Sequence, residues 1–371
     1  MFAIRRERLV STFPDGVEWL AVSQPANVTY LTGFTGEASW LLLCRQRAVL
    51  VSDGRFESQL AEERPDLEVV IRPPTRTTLE TVADILQQAK AGNVGVEATQ
   101  VTLAEAERLK ELAPSITWVP MGGLVERLRR VKDPTEIEAI RASIDVAERA
   151  FAMFRAVLTG TESEKELADA MESYVRRAGG SGTSFPPIVA VGARSALPHA
   201  PPTDRRVNES PFLLLDWGAT HRQYRSDITR IIRTGPRLGI GSSEWREIES
   251  RLEKLYTVVL RGQELAIRSI RAGVRAAEVD IAVRRYFEEQ GYLREFNHGL
   301  GHGIGLQIHE GPSLRPSSPD VLEEGNVVTV EPALYIRGLG GVRIEDDVLV
   351  HADGCEVLTR VPKDWSMGIV W

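Results

Sequence analysis

The chain has 371 residues, 43% of them hydrophobic and 26% charged, with a formal net charge of −7. At about 150 residues per domain that length suggests two domains or three, and the balance suits a soluble protein with a sizeable core. The acidic balance excludes the global basic field of a nucleic-acid binder, and no apolar run nears the roughly 20 residues of a membrane helix. Arg5, Arg6, Glu7 and Arg8 stand where a signal peptide needs an apolar stretch. Cys44 and Cys355 make neither a disulfide framework nor a four-cysteine zinc site. The expected setting is therefore the reducing cytoplasm, with no membrane or nucleic-acid partner and any metal held by oxygen and imidazole.

In chain order, Val17–Val22, Trp40–Cys44, Arg47–Ser52 and Leu67–Ile71 read as strands, short and bounded by turn residues. Apolar spacing predicts helices over Thr77–Ala91 and Leu103–Leu112, giving a small α/β unit. The pattern breaks at Pro120-Met121-Gly122-Gly123, so the expected domains are residues 1–123 and 124–371. Asp133-Pro134-Thr135-Glu136 is a helix start with an acidic cap, a first-turn proline and a capping glutamate. Ile137, Ile140, Ile144, Ala147, Phe151 and Phe154 then form one apolar stripe. Further helices are expected over Ser163–Arg177, Ser243–Ile270 and Arg275–Gln290. Strands are expected over Ile188–Val191, Phe212–Asp216, Ser226–Arg233, Val327–Ile336 and Gly341–Val350. Their irregular interleaving makes the fold class α+β.

Three of the six histidines, His298, His302 and His309, fall in one segment, with glycines at 299, 301, 303 and 305. Such glycines let a backbone pass close to a ligand or metal; a glycine-rich turn with satisfied histidines is the plainer alternative. The segment is not a dinucleotide fingerprint, since Ile304 fills the last glycine position. It is not HExxH either, since Ser313 stands where the second histidine belongs.

Acidic residues also interrupt apolar strands. Asp216 closes Phe212–Leu215, Asp227 opens Ile228–Ile232, Glu331 follows Val327–Val330, and Glu345 sits within Val342–Val348. Any one alone reads as a turn residue or an arginine partner; four together do not, because a buried charge is costly unless paired or bound to metal. If they converge, their four negative charges match two divalent cations. His302 completes an oxygen and nitrogen donor set suited to manganese, cobalt, zinc or iron(II), and a structural zinc is the weaker reading.

The strings Asp216…Ser226-Asp227, Gly301-His302-Gly-Ile-Gly305…His309, Val330-Glu331-Pro332 and Val342-Arg-Ile-Glu345-Asp346 resemble the "pita-bread" metallopeptidases, the family of proline-specific peptidases and creatinases. Arg194-Ser-Ala-Leu-Pro-His199, Tyr30-Leu-Thr-Gly-Phe34, Ser52-Asp-Gly-Arg55 and Val131-Lys-Asp-Pro134 extend the resemblance over nearly the whole chain. It implies a creatinase-type N-terminal domain before a pita-bread catalytic domain. It also implies two divalent ions per subunit, manganese foremost, in a likeness that gives Asp216 to one metal, Asp227 and Glu345 to both, and His302 and Glu331 to the second. Glu331 would shuttle the proton of a water activated by the ions. His199 and His309 would hydrogen-bond the substrate, and His298 would wall the proline pocket. Arg343 would orient the carboxylates from the same strand face as Glu345. Phe185 is expected at the wall of the substrate cavity, with a core position as the alternative. His221 and His351 match no role.

The resemblance further implies proline-containing peptide substrates and a homodimer, with Trp40 and Arg55 as candidate contributors across it. Some prolidases hold the substrate carboxylate with an arginine eleven residues past the metal histidine, where this chain has Ser313. That favours an Xaa-Pro aminopeptidase, with Xaa-Pro dipeptidase as the alternative while Arg315 or Arg337 remains to clamp a carboxylate. Creatinase-like chemistry does not use this ligand set, and methionine aminopeptidases usually lack such an N-terminal domain. The binding-module relatives of the fold typically lose the ligands that are intact here.

Overall fold

In the N-terminal unit the local sequence rules are followed closely. In this computed structural model, which describes residues 1–235, 243–365 and 369–370, the chain divides into two units, Met1–Arg129 and Arg130–Trp371. The first holds β1 (Trp19–Val22), β2 (Trp40–Leu43), β3 (Ala48–Asp53), β4 (Glu68–Arg72), β5 (Asn93–Glu97) and β6 (Thr117–Met121). They form one mixed sheet in the order β4-β3-β2-β1-β5-β6. Its helices are α1 (Phe2–Ser11), α2 (Pro25–Thr32), α3 (Glu57–Glu63), α4 (Thr78–Gln88), α5 (Leu103–Leu112) and α6 (Leu124–Arg130). Thr77 with Glu80 and Thr102 with Glu105 close capping boxes that start α4 and α5. Sequence periodicity misses the helices α1, α2, α3 and α6, and it misses β5 and β6 because Asn93–Glu97 carries a glycine and Thr117–Met121 a proline, both poor strand formers. Trp40 is buried in the sheet, and Arg55 grips the Asp53 carboxylate at 2.7 Å.

The second unit opens with α7 (Pro134–Val157) and α8 (Glu164–Arg177), capped by Asp133–Glu136 and Ser163–Glu166 boxes. The apolar face of α7 packs on β9 (Phe212–Trp217), following β7 (Gly182–Thr183) and β8 (Ile188–Val191). Then come β10 (Ala219–His221), β11 (Tyr224–Arg225), β12 (Ile228–Gly235), α9 (Ser243–Ser269) and α10 (Ala276–Glu289). The hairpin between β10 and β11 turns through Arg222 and Gln223, both at positive φ (49° and 72°), as a two-residue hairpin turn requires. The chain ends with β13 (Gly301–Gly303), β14 (Glu310–Leu314), β15 (Val327–Val330), β16 (Ala333–Ile336), β17 (Gly340–Arg343), β18 (Asp346–Val350), β19 (Cys355–Val357) and β20 (Ile369–Val370). Their sheets run β20-β12-β9-β8, β14-β13-β15-β18-β19 and β16-β17.

Two expected strands are each broken in two. Val327–Ile336 splits into β15 and β16, and Gly341–Val350 into β17 and β18, with the halves in different sheets. Val330 pairs with Asp346 on one side of the breaks and Ala333 with Arg343 on the other. Glu331 and Glu345 therefore lie at facing corners rather than within continuous strands. Pro332, which has no N–H, enforces one corner. Among the described residues no helix is long and apolar enough to cross a membrane.

Trp217 is fully buried, stacks on Phe151 at 4.8 Å and donates its indole N–H to the Ala147 carbonyl at 3.0 Å. Trp217→Ala should lower the unfolding free energy by about 3–5 kcal/mol, read from urea denaturation. A loss under about 1 kcal/mol would contradict this packing, since such a value belongs to a surface site.

Candidate metal centre

Antiparallel pairing of β9 and β12 sets Thr229 opposite Asp216, with Asp227 one residue before β12 begins. The Thr229–Glu345 bridge then brings the β17–β18 corner alongside. His302 occupies the middle of β13, which runs between β14 and β15. A Cβ at Gly301 would collide with the Thr329 carbonyl, and one at Gly303 with the Gly311 carbonyl. Gly301 and Gly303 thus admit neighbouring strands, while Gly299 and Gly301 also line the cavity described below.

Asp227, His302 and Glu345 each offer a donor atom, all within 4.8 Å of one another. Glu331 Oε1 lies 3.7 Å from His302 Nε2, as does Asp227 Oδ2. Asp216 lies against the Asp227 carboxyl. The structure thus gathers all five sequence-selected residues, the four acids from strand ends and corners and His302 from the middle of β13.

The electrostatics of this cluster are unfavourable without added positive charge. Burial, then the neighbouring carboxylates, pushes Asp227 and Glu345 well above the usual carboxylate range. Burial raises Asp216 against the opposing effect of Arg343, and raises Glu331 to about 8. The histidine cannot supply the missing charge. His302 Nδ1 faces the Gly303 carbonyl at 3.0 Å, and a carbonyl only accepts, so Nδ1 carries the proton. Burial lowers its pKa to about 4, so the 3.7 Å contacts are not ion pairs. Nε2 instead presents a lone pair to carboxylate oxygens. Asp216 Oδ1 and Asp227 Oδ1 are buried with no hydrogen-bond partner. Lone pairs converging on lone pairs, with orphaned carboxylate oxygens between them, fit divalent cations with oxygen and nitrogen ligands.

Arg343, 4% exposed, does not share a strand face with Glu345, because β17 ends at Arg343. It orients the acids by direct contacts instead. Its guanidinium donates to Asp216 Oδ2 at 2.5 Å and to Thr229 Oγ1 at 3.0 Å, and Thr229 donates onward to Glu345 Oε2 at 2.6 Å. It also donates to the Tyr335 hydroxyl at 2.6 Å, leaving the Tyr335 proton for His298 Nε2 at 3.0 Å. With Nδ1 directed to the Gly299 carbonyl at 2.7 Å, both His298 nitrogens are engaged. His298 therefore presents ring edge and face, not a hydrogen bond.

A cavity of about 610 Å³ opens over these groups. His199, His298, His309, Phe185 and Arg315 line it beside the acidic cluster, with Pro186, Pro187, Pro198, Pro201, Pro202 and Ile308 as apolar wall. The His309 ring stands edge-on to His302 at 4.4 Å. His221 contacts the Gly179 carbonyl and His351 faces Glu356, both outside the cavity lining. Sequence reasoning missed Tyr335, Thr229 and the buried Asp347, whose Oδ2 accepts from the Asp227 N–H at 3.1 Å. A polar aromatic in the apolar run Ala333–Ile336 was the available signal for Tyr335.

Buried carboxylates, a neutral imidazole and an apolar cavity define a metal-dependent hydrolase centre. Residues 138–352 match the model of metallopeptidase family M24, and residues 5–131 match the creatinase/prolidase N-terminal domain. The chain belongs to metallopeptidase family M24, with a creatinase-type N-terminal domain before a pita-bread catalytic domain. It is 31% identical to the Xaa-Pro dipeptidase of Pyrococcus furiosus over 97% of this chain and 99% of that one. Among solved structures it resembles an Xaa-Pro dipeptidase from Bacillus anthracis (TM-score 0.91, 34% identity, 100% of both chains). It also resembles an X-Pro aminopeptidase from Thermotoga maritima (TM-score 0.87, 33% identity, 99% of this chain and 100% of that one).

The metal-free protein should respond to pH with a definite sign. His298 and His302, held neutral with pKa about 4, add stability as pH rises to the ordinary 6.5 and contribute no further slope above it. Glu331 keeps its proton in the native state up to about 8, whereas the unfolded chain has already released it. Native protein then binds more protons, so stability falls from pH 6.5 to about 8. Urea midpoints of stripped protein should drop across that window, and a divalent ion should reverse the drop; a flat or rising profile would contradict it.

Proposed function

We propose that this protein is a two-metal Xaa-Pro aminopeptidase, with Asp216 holding one ion, Asp227 and Glu345 shared, and His302 and Glu331 holding the second. The observation carrying this reading is the neutral His302 Nε2 directed at the Asp227 and Glu331 carboxyl groups, beside buried Asp216 and Asp227 oxygens that have no hydrogen-bond partner, in the lining of an apolar cavity. When bound, such an ion pair lowers the pKa of a water towards about 7 and polarises the carbonyl under attack. Manganese suits this donor set, as do cobalt, zinc and iron(II).

The remaining chemistry belongs to the side chains. A Xaa-Pro bond has no N–H, so recognition must use the ring, the carbonyl and the free amine. His298 and Phe185 provide flat apolar surface for the pyrrolidine ring. His199 and His309 donate to the scissile carbonyl oxygen as it gains negative charge. A Glu331 carboxylate oxygen takes the water's proton and delivers it to the proline nitrogen as the C–N bond breaks. Arg343 favours the ionised form of Asp216 against the effect of its burial and, through Thr229, aims Glu345.

The second reading, Xaa-Pro dipeptidase, is favoured by one observation: Arg315 lines the same cavity. It is two residues beyond Ser313, at the end of β14 and on the same side of the strand direction. Several relatives of matching length are named Xaa-Pro dipeptidases. We further propose a cytoplasmic homodimer; the free thiols of Cys44 and Cys355 accord with the compartment.

With manganese supplied, Ala-Pro-Ala should be cleaved with higher kcat/KM than Ala-Pro, and Arg315→Ala should leave that order intact. If Ala-Pro is the better substrate and Arg315→Ala raises its KM by roughly 10–100-fold, the loss of a charged hydrogen bond, the dipeptidase reading replaces it. Failure to cleave either peptide would remove both. Asp227→Asn should abolish turnover while leaving circular dichroism unchanged; full activity in that variant would contradict its shared position.

A further inference from the structure

Behind the acidic cluster, on the side away from the cavity, lies a second buried polar group that the chemistry above does not use. Gln263, fully buried on α9, points its amide between the two corners that carry Glu331 and Glu345. Its Nε2 donates to the Val330 carbonyl at 3.0 Å, the Ile344 carbonyl at 3.2 Å and Asp346 Oδ2 at 3.0 Å. An amide has two hydrogens, so one is shared. Arg230, 2% exposed, donates to the Glu345 carbonyl at 2.6 Å, the Thr229 carbonyl at 2.9 Å and Asp346 Oδ1 at 2.6 Å. Lys363 closes the group, reaching Asp346 Oδ2 at 2.6 Å and Gln263 Oε1 at 3.0 Å. Arg230 also takes the Val361 carbonyl at 2.6 Å, so the segment around residue 361 is fastened to the same point.

The placement follows from the strand breaks. Where the chain leaves one sheet for another, the ladder hydrogen bonds that normally fix the backbone are interrupted, and buried carbonyls need other donors. Here those donors are side chains, and the carbonyls they take belong to Val330 and Ile344, immediately before the two glutamates, and to Glu345 itself. We propose that Gln263, held by Asp346, Arg230 and Lys363, is a positioning residue that sets the separation of the Glu331 and Glu345 carboxylates through their backbones. This rests on the reading of Glu331 and Glu345 as metal ligands. Without the Gln263 clamp the β15–β16 and β17–β18 corners lose their common donor, and the two carboxylates lose their fixed spacing.

The test uses stripped full-length protein titrated with Mn(II), and Co(II) as a spectroscopic probe. Gln263→Met keeps length and burial but removes the amide. It should weaken Mn(II) binding by roughly 10–100-fold, the range for residues supporting metal ligands, and shift the Co(II) visible bands. At saturating metal, kcat for Ala-Pro-Ala should fall while KM holds. A folded Gln263→Met protein with wild-type Mn(II) affinity and Co(II) spectrum would overturn the proposal. If that variant does not fold, Lys363→Met at the partly exposed end of the group decides: weaker Mn(II) binding, restored by Lys363→Arg, supports it, and wild-type affinity overturns it. Glu331→Gln and Glu345→Gln separate the two claims. If either binds Mn(II) as wild type does, the ligand assignment fails, whatever Gln263→Met shows.

Discussion

The structure depends on holding several carboxyl groups together in a place where they repel. Asp216, Asp227 and Glu345 are buried and Glu331 is mostly so, around a neutral imidazole, and Arg343 is the one cation hydrogen-bonded to a carboxylate of the four among the described residues. Burying like charges costs far more than any single contact returns. The rest of the catalytic unit can be understood as the apparatus that makes this arrangement stable and gives it a use.

That apparatus is largely backbone geometry. Register between β9 and β12 fixes the aspartates, and the two strand breaks turn the glutamates inward at facing corners. Arg343 and Thr229 then orient individual carboxylate oxygens from the cavity side, and the Tyr335 hydroxyl accepts from Arg343 to hold it there. The fully buried Gln263–Asp346–Arg230 group supports the corners from behind. The cavity side leaves Asp216 and Asp227 oxygens without hydrogen-bond partners while the rear is amply supplied with donors, an asymmetry that fits a cation site.

Much of this was legible in the sequence. Acidic residues beside apolar runs announced the five-residue cluster, because a core charge is costly enough to demand an explanation. The Asp133 capping box and the apolar spacing of the other segments placed the starts of α4, α5, α7 and α8 within a residue or two. The strand breaks at Glu331 and Glu345 went unread: Pro332 was the one local signal, and the change of sheet at Glu345 shows only in tertiary pairing. The strand contacts of Gly301 and Gly303 were not legible either, since close approach looks the same in sequence whether to a ligand or to a neighbouring strand. Thr229 and Gln263 carry no local pattern, being defined by partners 116 and 81 residues away.

The most direct test of the central claim is a metal titration of stripped protein followed by crystallography with anomalous scattering at the metal edge. Two ions per chain, bound among Asp216, Asp227, His302, Glu331 and Glu345, is the expected result. Saturation with no ion bound, or with ions seated away from these five side chains, would contradict it.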